Sequence, residues 1–279
     1  MLTSTNMRAV ALSIALLFVF LLGWHLWVEA QRSAAPAMDP ELAALLGDQA
    51  KGGSAMPGPL EVGQAIGRHF ADPFYDNGPN DKGIGIQLAY SIMRVATGFF
   101  LAALIAIPLG FFIGMSEVFR KAVDPFIQIL KPVSPLAWMP LALYTIKDSG
   151  ASSIFVIFIC SIWPMLINTV FGVASVRKEW LNVAKTLEVS NSRMAWRVIL
   201  PAAAPTILTG MRISIGIAWL VIVAAEMLVG GTGIGYYVWN EWNNLSITGV
   251  ITAIFFIGLI GMILDFILAM IARLVEYAE

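Results

Sequence analysis

The sequence predicts an all-α, polytopic membrane protein with six transmembrane helices and a cytoplasmic helix-turn-helix between the fourth and fifth. Three observations carry this. Of 279 residues, 58% are hydrophobic and 13% charged, against about 25% charged in an ordinary soluble domain. Six apolar runs, at about 9–28, 88–115, 124–146, 152–173, 203–229 and 247–272, approach the roughly 20 residues that cross a bilayer core. Lysine and arginine also fall unevenly between them. Residues 174–202 hold Arg177, Lys178, Lys185, Arg193 and Arg197, and the connection after the second run holds Arg120 and Lys121. The connection after the fifth run has neither residue, and that after the third has Lys147 alone. By the positive-inside rule both termini and the basic connections are cytoplasmic.

Taken in order, the first run (domain 1–28) follows Arg8 and ends in Trp24 and Trp27. Such a terminal aromatic belt favours a retained helix over a cleaved signal peptide. Residues 29–87 form an external loop with eight acidic and four basic residues, a length at which charge carries little topological weight. A short helix is expected near Pro40–Leu46. A Pro-initiated amphipathic helix is expected over 56–70, with Leu60, Ile66 and Phe70 on its apolar face, and a structured turn-rich loop over 72–83. Residues 88–279 are the five-helix core, with the basic loop 174–202 inside it.

The third run contains Lys131, Pro132, Pro135 and Pro140. Each proline removes an N–H and crowds the preceding turn, so a broken helix is expected there, and another at Trp163–Pro164. In lipid a break survives only against protein or a water-lined cavity, which places the polar and aromatic residues Ser134, Trp138, Met139, Trp163, Asn168 and Trp219 on a candidate translocation path. Packing kinks are the alternative.

Arg94, Lys131, Arg212, Glu226 and Asp265 lie within or at the ends of apolar runs. An isolated charge at bilayer centre costs about 2.5–3.5 kcal/mol on insertion scales, so each needs protein, water or an interface. Lys131 and Arg212 suit an anion path, whereas snorkelling or inter-helix bonding would leave them and Glu226 structural. Arg212 and Glu226 stand about 21 Å apart along a helix and cannot pair with each other.

The single cysteine, Cys160, reads as a small buried apolar side chain. No phosphate loop, zinc-protease helix or nucleophile elbow occurs, and the two histidines offer little for acid–base catalysis. Gly230-Gly231-Thr232-Gly233-Ile234-Gly235 mimics a dinucleotide fingerprint, but it follows a membrane helix instead of a strand and reads as a turn leaving the membrane. An enzyme is therefore not expected.

The most informative stretch is NVAKTLEVSNSRMAWRVILP, from Asn182 to Pro201. It resembles the EAA loop of ABC-importer permeases, E-A-A-x3-G-x9-I-x-L-P. Ala184, Leu200 and Pro201 are in register, and Val198 replaces the isoleucine. Asn182, Val183 and Glu188 depart from the pattern. MPGPLEVGQAI, AYSIMRVATGFFLAALIAIPLGFFIGMS, ILPAAAPTILTGMRISIG, VAAEMLVGGTGIG and GLIGMILD extend the likeness over about three-quarters of the chain. They resemble the nitrate/sulfonate/taurine/bicarbonate group, most of all its nitrate, cyanate and bicarbonate branch.

The resemblance implies one subunit of a permease homodimer in a bacterial inner membrane. ATPase subunits, as a homo- or heterodimer, would bind the ATP and magnesium that this chain does not, and a periplasmic substrate-binding protein would dock outside. No nucleic-acid partner is implied. Coupling to the ATPase would map to Asn182, Val183, Ala184, Leu187, Glu188, Met194, Leu200 and Pro201, with Val183, Leu187, Met194 and Val198 facing the partner. A glycine at the family position now held by Glu188 implies positive φ. The alternative is that Ser190-Asn191-Ser192 makes the turn and caps a second short helix, with Pro201 and Pro205 making the start of the fifth membrane helix abrupt. The cargo implied is a small inorganic anion, nitrate first, with bicarbonate, cyanate, taurine or sulfonate as alternatives. A stand-alone secondary transporter is the reading from another class.

Overall fold

The computed structural model describes residues 4–34, 56–78 and 80–275. These form eleven α-helices and one π-helical turn, and their only β pairing is an isolated bridge between Asp76 and Lys82. The helix expected near Pro40–Leu46 lies outside the described residues.

By contacts the chain divides into two units, one holding residues up to 73 together with 241–254, the other holding 74–240 and 255–279. In the first, α1 (Ser4–Ala34) and α2 (Pro59–Ala71) are joined by a bidentate contact from Arg32 to Glu61, with both N···O distances 2.8 Å. Glu61 also accepts from the Gly58 N–H at 2.9 Å, satisfying a donor that the helix start leaves free. Pro59 starts α2 as its position predicts. Its inner face differs from the expected one: Val62 and Ala65 are buried, while Leu60 and Phe70 are exposed. The face follows where α2 finds apolar neighbours, which bulk and spacing alone do not encode.

The second unit is built around α6 (Ser149–Ala174), which packs between α3 (Ile84–Gly114) and α9 (Leu200–Val229). The packing is close because of small residues. Gly98, Ala102, Ala106, Gly110 and Gly114 recur every four residues down the buried side of α3, the spacing that lets membrane helices approach backbone to side chain. A Cβ at Gly110 would stand 2.8 Å from Thr169 Cβ, and one at Gly210 of α9 would stand 2.6 Å from Asn168 Cβ.

The third apolar run is not one helix. It is α4 (Glu117–Leu130) and α5 (Pro135–Ile146), bent by 87° at Lys131–Ser134. At 14 and 12 residues neither half alone reaches across a bilayer core. The described residues thus hold five continuous candidate spans, and a sixth only if the bent pair is counted as one. Ser116 caps α4 by accepting from the Phe119 N–H, and Asp148 caps α6 by accepting from Ala151 at 2.6 Å.

The break expected at Trp163–Pro164 does not form: α6 runs unbroken through Pro164, as α5 does through Pro140. Ser214 of α9 donates to the Ser161 carbonyl at 2.8 Å in that same turn, and the Asn168 amide donates to the Pro164 carbonyl at 2.8 Å. Side chains thus bond the carbonyls of Ser161 and Pro164, and the helix runs on through the proline.

The loop 174–202 holds α7 (Lys178–Thr186) and α8 (Asn191–Met194). Here too the expectation of a separate second helix and an abrupt start at Pro201 is corrected. α8 runs through a π turn (Ala195–Ile199) directly into α9, giving one rod of 39 residues, Asn191–Val229. The Leu200 N–H reaches back to the Ala195 carbonyl across the wide turn. That turn immediately precedes Pro201, whose ring and missing N–H a regular turn would not fit. The unit is completed by α10 (Ile234–Asn243), which begins in it, and by the later turns of α11 (Ile247–Val275).

Candidate functional site

Three places in the second unit gather the chemistry. The first is the basic loop 174–202. α7 ends with Leu187 at φ −84° and then Glu188 at φ +52°, and two backbone bonds close the turn: Glu188 N–H to Lys185, and Val189 N–H to Ala184, each 3.0 Å. This is the Schellman arrangement, which satisfies the last carbonyls of the helix through one left-handed residue. Glu188 therefore occupies the glycine position of the pattern in a glycine-like conformation. Ser190 stands at the N-cap of α8 but its hydroxyl makes no capping bond, so the turn does not depend on the Ser-Asn-Ser run.

Ala184 and Met194 are 5% and 8% exposed and join a core cluster with Val173, Val176, Ile199, Ala203 and Ile207, against which Val189, Val198 and Leu200 also pack. Of the four residues expected to face a partner, Met194 is thus inside the loop, because a thioether has no better place to lose water than between α8 and the ends of α6 and α9. Val183 and Leu187 are exposed, as are Trp180 and Trp196, which the sequence reading passed over. Trp180, Val183 and Leu187 stand at i, i+3 and i+7, one face of α7, and the Arg177 guanidinium lies 5.5 Å from the Trp180 ring centre. Asn182 and Lys185 are exposed beside them, and Pro201 is half-buried at the head of α9.

The second place is at the far ends of α3 and α9. Glu226, 1% exposed, accepts from Arg94 at 2.7 Å, from the Ser91 hydroxyl at 2.7 and 2.9 Å, and from the Gly235 N–H at 3.0 Å. Arg94 also donates to the Thr232 carbonyl at 2.7 Å, Ile234 N–H to Ser91 at 2.9 Å, and Gly233 N–H to Gln87 at 2.7 Å. A buried carboxylate is tolerable only with such complete pairing. The glycine turn is pinned over it: a Cβ at Gly233 would collide with the Glu226 carboxyl, and one at Gly235 with the Val223 carbonyl. The glycines serve close approach to a carboxylate, so the run has no phosphate-binding geometry. The loop 74–83 joins this end, with the Tyr236 hydroxyl and Asn240 amide donating to Asn80 at 3.0 Å each and Lys82 Nζ to Asp76 at 2.8 Å. That contact holds the Asp76 carboxyl below its ordinary range and raises the Lys82 ammonium.

The third place is a cavity of about 340 Å³ at the α4–α5 break. Of the candidate path residues, Trp138, Trp163 and Asn168 line it, together with Lys131 and Cys160. Ser134 is exposed outside it, Met139 is buried in the α5–α6–α9 core, and Trp219 is buried with its indole N–H on the Ile257 carbonyl at 2.9 Å. Arg212 does not reach it either; it makes a bidentate pair with Asp265 of α11, at 2.6 and 2.7 Å.

A bundle of apolar helices, stapled by small residues and carrying a charged two-helix loop, defines a membrane permease. The model of the binding-protein-dependent transport system inner membrane component family matches residues 106–277. This chain belongs to that family. It is 44% identical over 227 residues to the nitrate import permease protein NrtB of Synechocystis sp., covering 81% of this chain and 82% of that one. It is 43% identical over 204 residues to the bicarbonate transport system permease protein CmpB of the same organism, covering 73% of each. Its fold is similar to a chain solved in inward-facing conformations of the MetNI methionine ABC transporter, at TM-score 0.60 and 13% identity, covering 68% of this chain and 94% of that one.

Proposed function

We propose that the chain is the permease subunit of an ATP-driven importer for a small inorganic oxyanion, nitrate first and bicarbonate second. One observation carries the reading: more than two-fifths identity over four-fifths of the length to a permease named for nitrate import. The bicarbonate reading rests on a similar identity over a shorter stretch.

In this reading two copies form one path in a bacterial inner membrane, with both termini and loop 174–202 on the cytoplasmic side. ATPase subunits, alike or unlike, bind the ATP and magnesium. A periplasmic binding protein delivers the anion at loop 74–83 and the 230–236 turn. The ATPase groove receives Trp180, Val183, Leu187 and Trp196, a patch of aromatic and aliphatic anchors typical of interface centres. α7, which carries most of this patch, packs through Ala184 against Met194, Ile199 and Ala203, and because α8 runs on into α9, movement of the patch is carried into the membrane.

The test is reconstitution with the ATPase subunits and binding protein in proteoliposomes. Nitrate-loaded binding protein should stimulate ATP hydrolysis. Leu187→Lys should reduce that stimulation by about tenfold, the effect of losing one interface anchor worth about 1.4 kcal/mol, in a complex that still folds. Ala184→Asp should disrupt the loop core itself. Full stimulation with Leu187→Lys would overturn the coupling assignment, bicarbonate as the only stimulating anion would reverse the order of cargo, and uptake without ATPase subunits would favour a secondary transporter.

A further inference from the structure

The cavity at the α4–α5 break combines features that packing does not require. It sits level with the middle of α6 and α9, bordered by Cys160, Trp163 and Asn168 on one side and Ile213 and Ile217 on the other. At about 30 Å³ per water its 340 Å³ holds roughly ten water molecules, enough for a small ion with part of its hydration shell. No carboxylate lines it. The Lys131 ammonium has no acidic partner among the described residues, in contrast to Arg94 and Arg212. Neither Trp138 nor Trp163 has an acceptor for its indole N–H there, although neither nitrogen is sealed from the cavity space. The N-terminus of α5, at Pro135, opens on the same space. The lining is mostly apolar, with one cation and two indole N–H groups set in it and no carboxylate among the lining residues.

We propose that this cavity is a transit site for a small monovalent oxyanion, with Lys131 as its counter-charge; the proposal rests on the anion-importer reading above. The Lys131 ammonium is exposed at the bend, where it borders the cavity, and with no acidic partner among the described residues it is satisfied by water or an anion. A single flexible cation with indole donors attracts a weakly hydrated planar anion without the several fixed charges that would hold it. The aromatic walls replace part of its hydration shell at little cost. This is attraction strong enough for entry and weak enough for exit. The bent pair exposes the site because a continuous helix through 131–134 would fill the space with its own side chains.

The test measures the local potential directly. The only native thiol is removed by Cys160→Ser, Asn168→Cys is added, and the permease is assembled with its ATPase subunits in proteoliposomes. Labelling rates are taken with the anionic sulfonatoethyl and the cationic trimethylammonioethyl methanethiosulfonates, each divided by its rate on a free thiol in solution. The anionic reagent should be favoured by about tenfold, the low end of electrostatic focusing in a charged cleft. Millimolar nitrate should slow it, Lys131→Gln should bring the ratio near one, and Lys131→Arg should keep it. Ile213→Cys on the opposite wall reads the same cavity if the first variant does not assemble. A ratio near one with Lys131 present, a ratio unchanged by Lys131→Gln, or no labelling at either position overturns the proposal. ATP hydrolysis stimulated by loaded binding protein is followed in parallel on the unsubstituted complex. If it answers to bicarbonate alone while the tenfold preference persists, the nitrate reading fails and the site stands.

Discussion

Replacing Glu188 by glycine isolates the energetics of the turn that ends α7. Glu188 holds φ +52°, where the Cβ of an L-residue crowds the following carbonyl at a cost of about 1–2 kcal/mol. Its side chain is exposed and makes no ion pair with the described residues, so truncation removes no contact. Both closing bonds, Glu188 N–H to Lys185 and Val189 N–H to Ala184, are backbone bonds that glycine preserves. Against the relief stands the added freedom of a glycine in the unfolded chain, about 0.4–1 kcal/mol. The balance for Glu188→Gly is between zero and about 1.6 kcal/mol of stabilisation. Glu188→Val should lose roughly 1 kcal/mol, because a β-branched side chain is a severe outlier in this region. The measurement is the thermal unfolding midpoint of the assembled complex in one detergent, for the three variants side by side. Glycine below glutamate, or valine equal to glycine, would refute the left-handed assignment of Glu188.

The buried pair at the other end of α9 behaves differently. Arg94→Met strands the Glu226 carboxylate, which is 1% exposed, and should cost about 3–5 kcal/mol, whereas Arg94→Met with Glu226→Leu should recover much of that loss; a double variant no better than the single, by the same unfolding assay, would mean the pair does more than neutralise itself. At α2, the Gly58 N–H holds the Glu61 carboxyl below its ordinary value of 4.5, with Arg32 adding to the effect. The unfolded state therefore binds the proton first, so this contribution is complete above about pH 4.5 and is lost as pH falls through the lowered folded value. The protection factor at the start of α2, exchange measured against the intrinsic rate at each pH, should fall on acidification and lose that dependence in Glu61→Gln; an unchanged acid response in the variant would contradict the cap.

Some of this was readable before any coordinates because it depends on chemistry local in the chain. Asn182–Pro201 announces a charged helical loop by its resemblance to a motif, and the motif's glycine register left the turn open between Glu188 and Ser190-Asn191-Ser192, which the backbone then resolved in favour of Glu188. The stripe from Gly98 to Gly114 stands in the sequence as small residues every fourth position, but bulk hydropathy passes over it and its meaning came only with the packing of α3 on α6. Proline counting located the break at 131–134 and wrongly extended it to Pro164. The difference is not in the prolines but in the side chains that bond the backbone beside Pro164: Asn168 does so within α6, and Ser214 only once α9 lies against it.

What the sequence determined by itself is what the bilayer and the backbone dictate to any chain of this composition. Apolar length makes helices, basic loops orient them, and an unpaired charge must find a partner, water or an interface. Which partner it finds is a matter of three dimensions. Arg94 and Glu226 are 132 residues apart, Arg212 and Asp265 are 53 apart, and no periodicity links members of either pair. Likewise, Ala184 and Leu187 stand three residues apart at the end of a short helix, and the more hydrophobic Leu187 is at the surface while Ala184 is in the core. Only the tertiary structure decided that, because burial depends on which neighbouring helix is present to exclude water and not on the residue's own preference for leaving it.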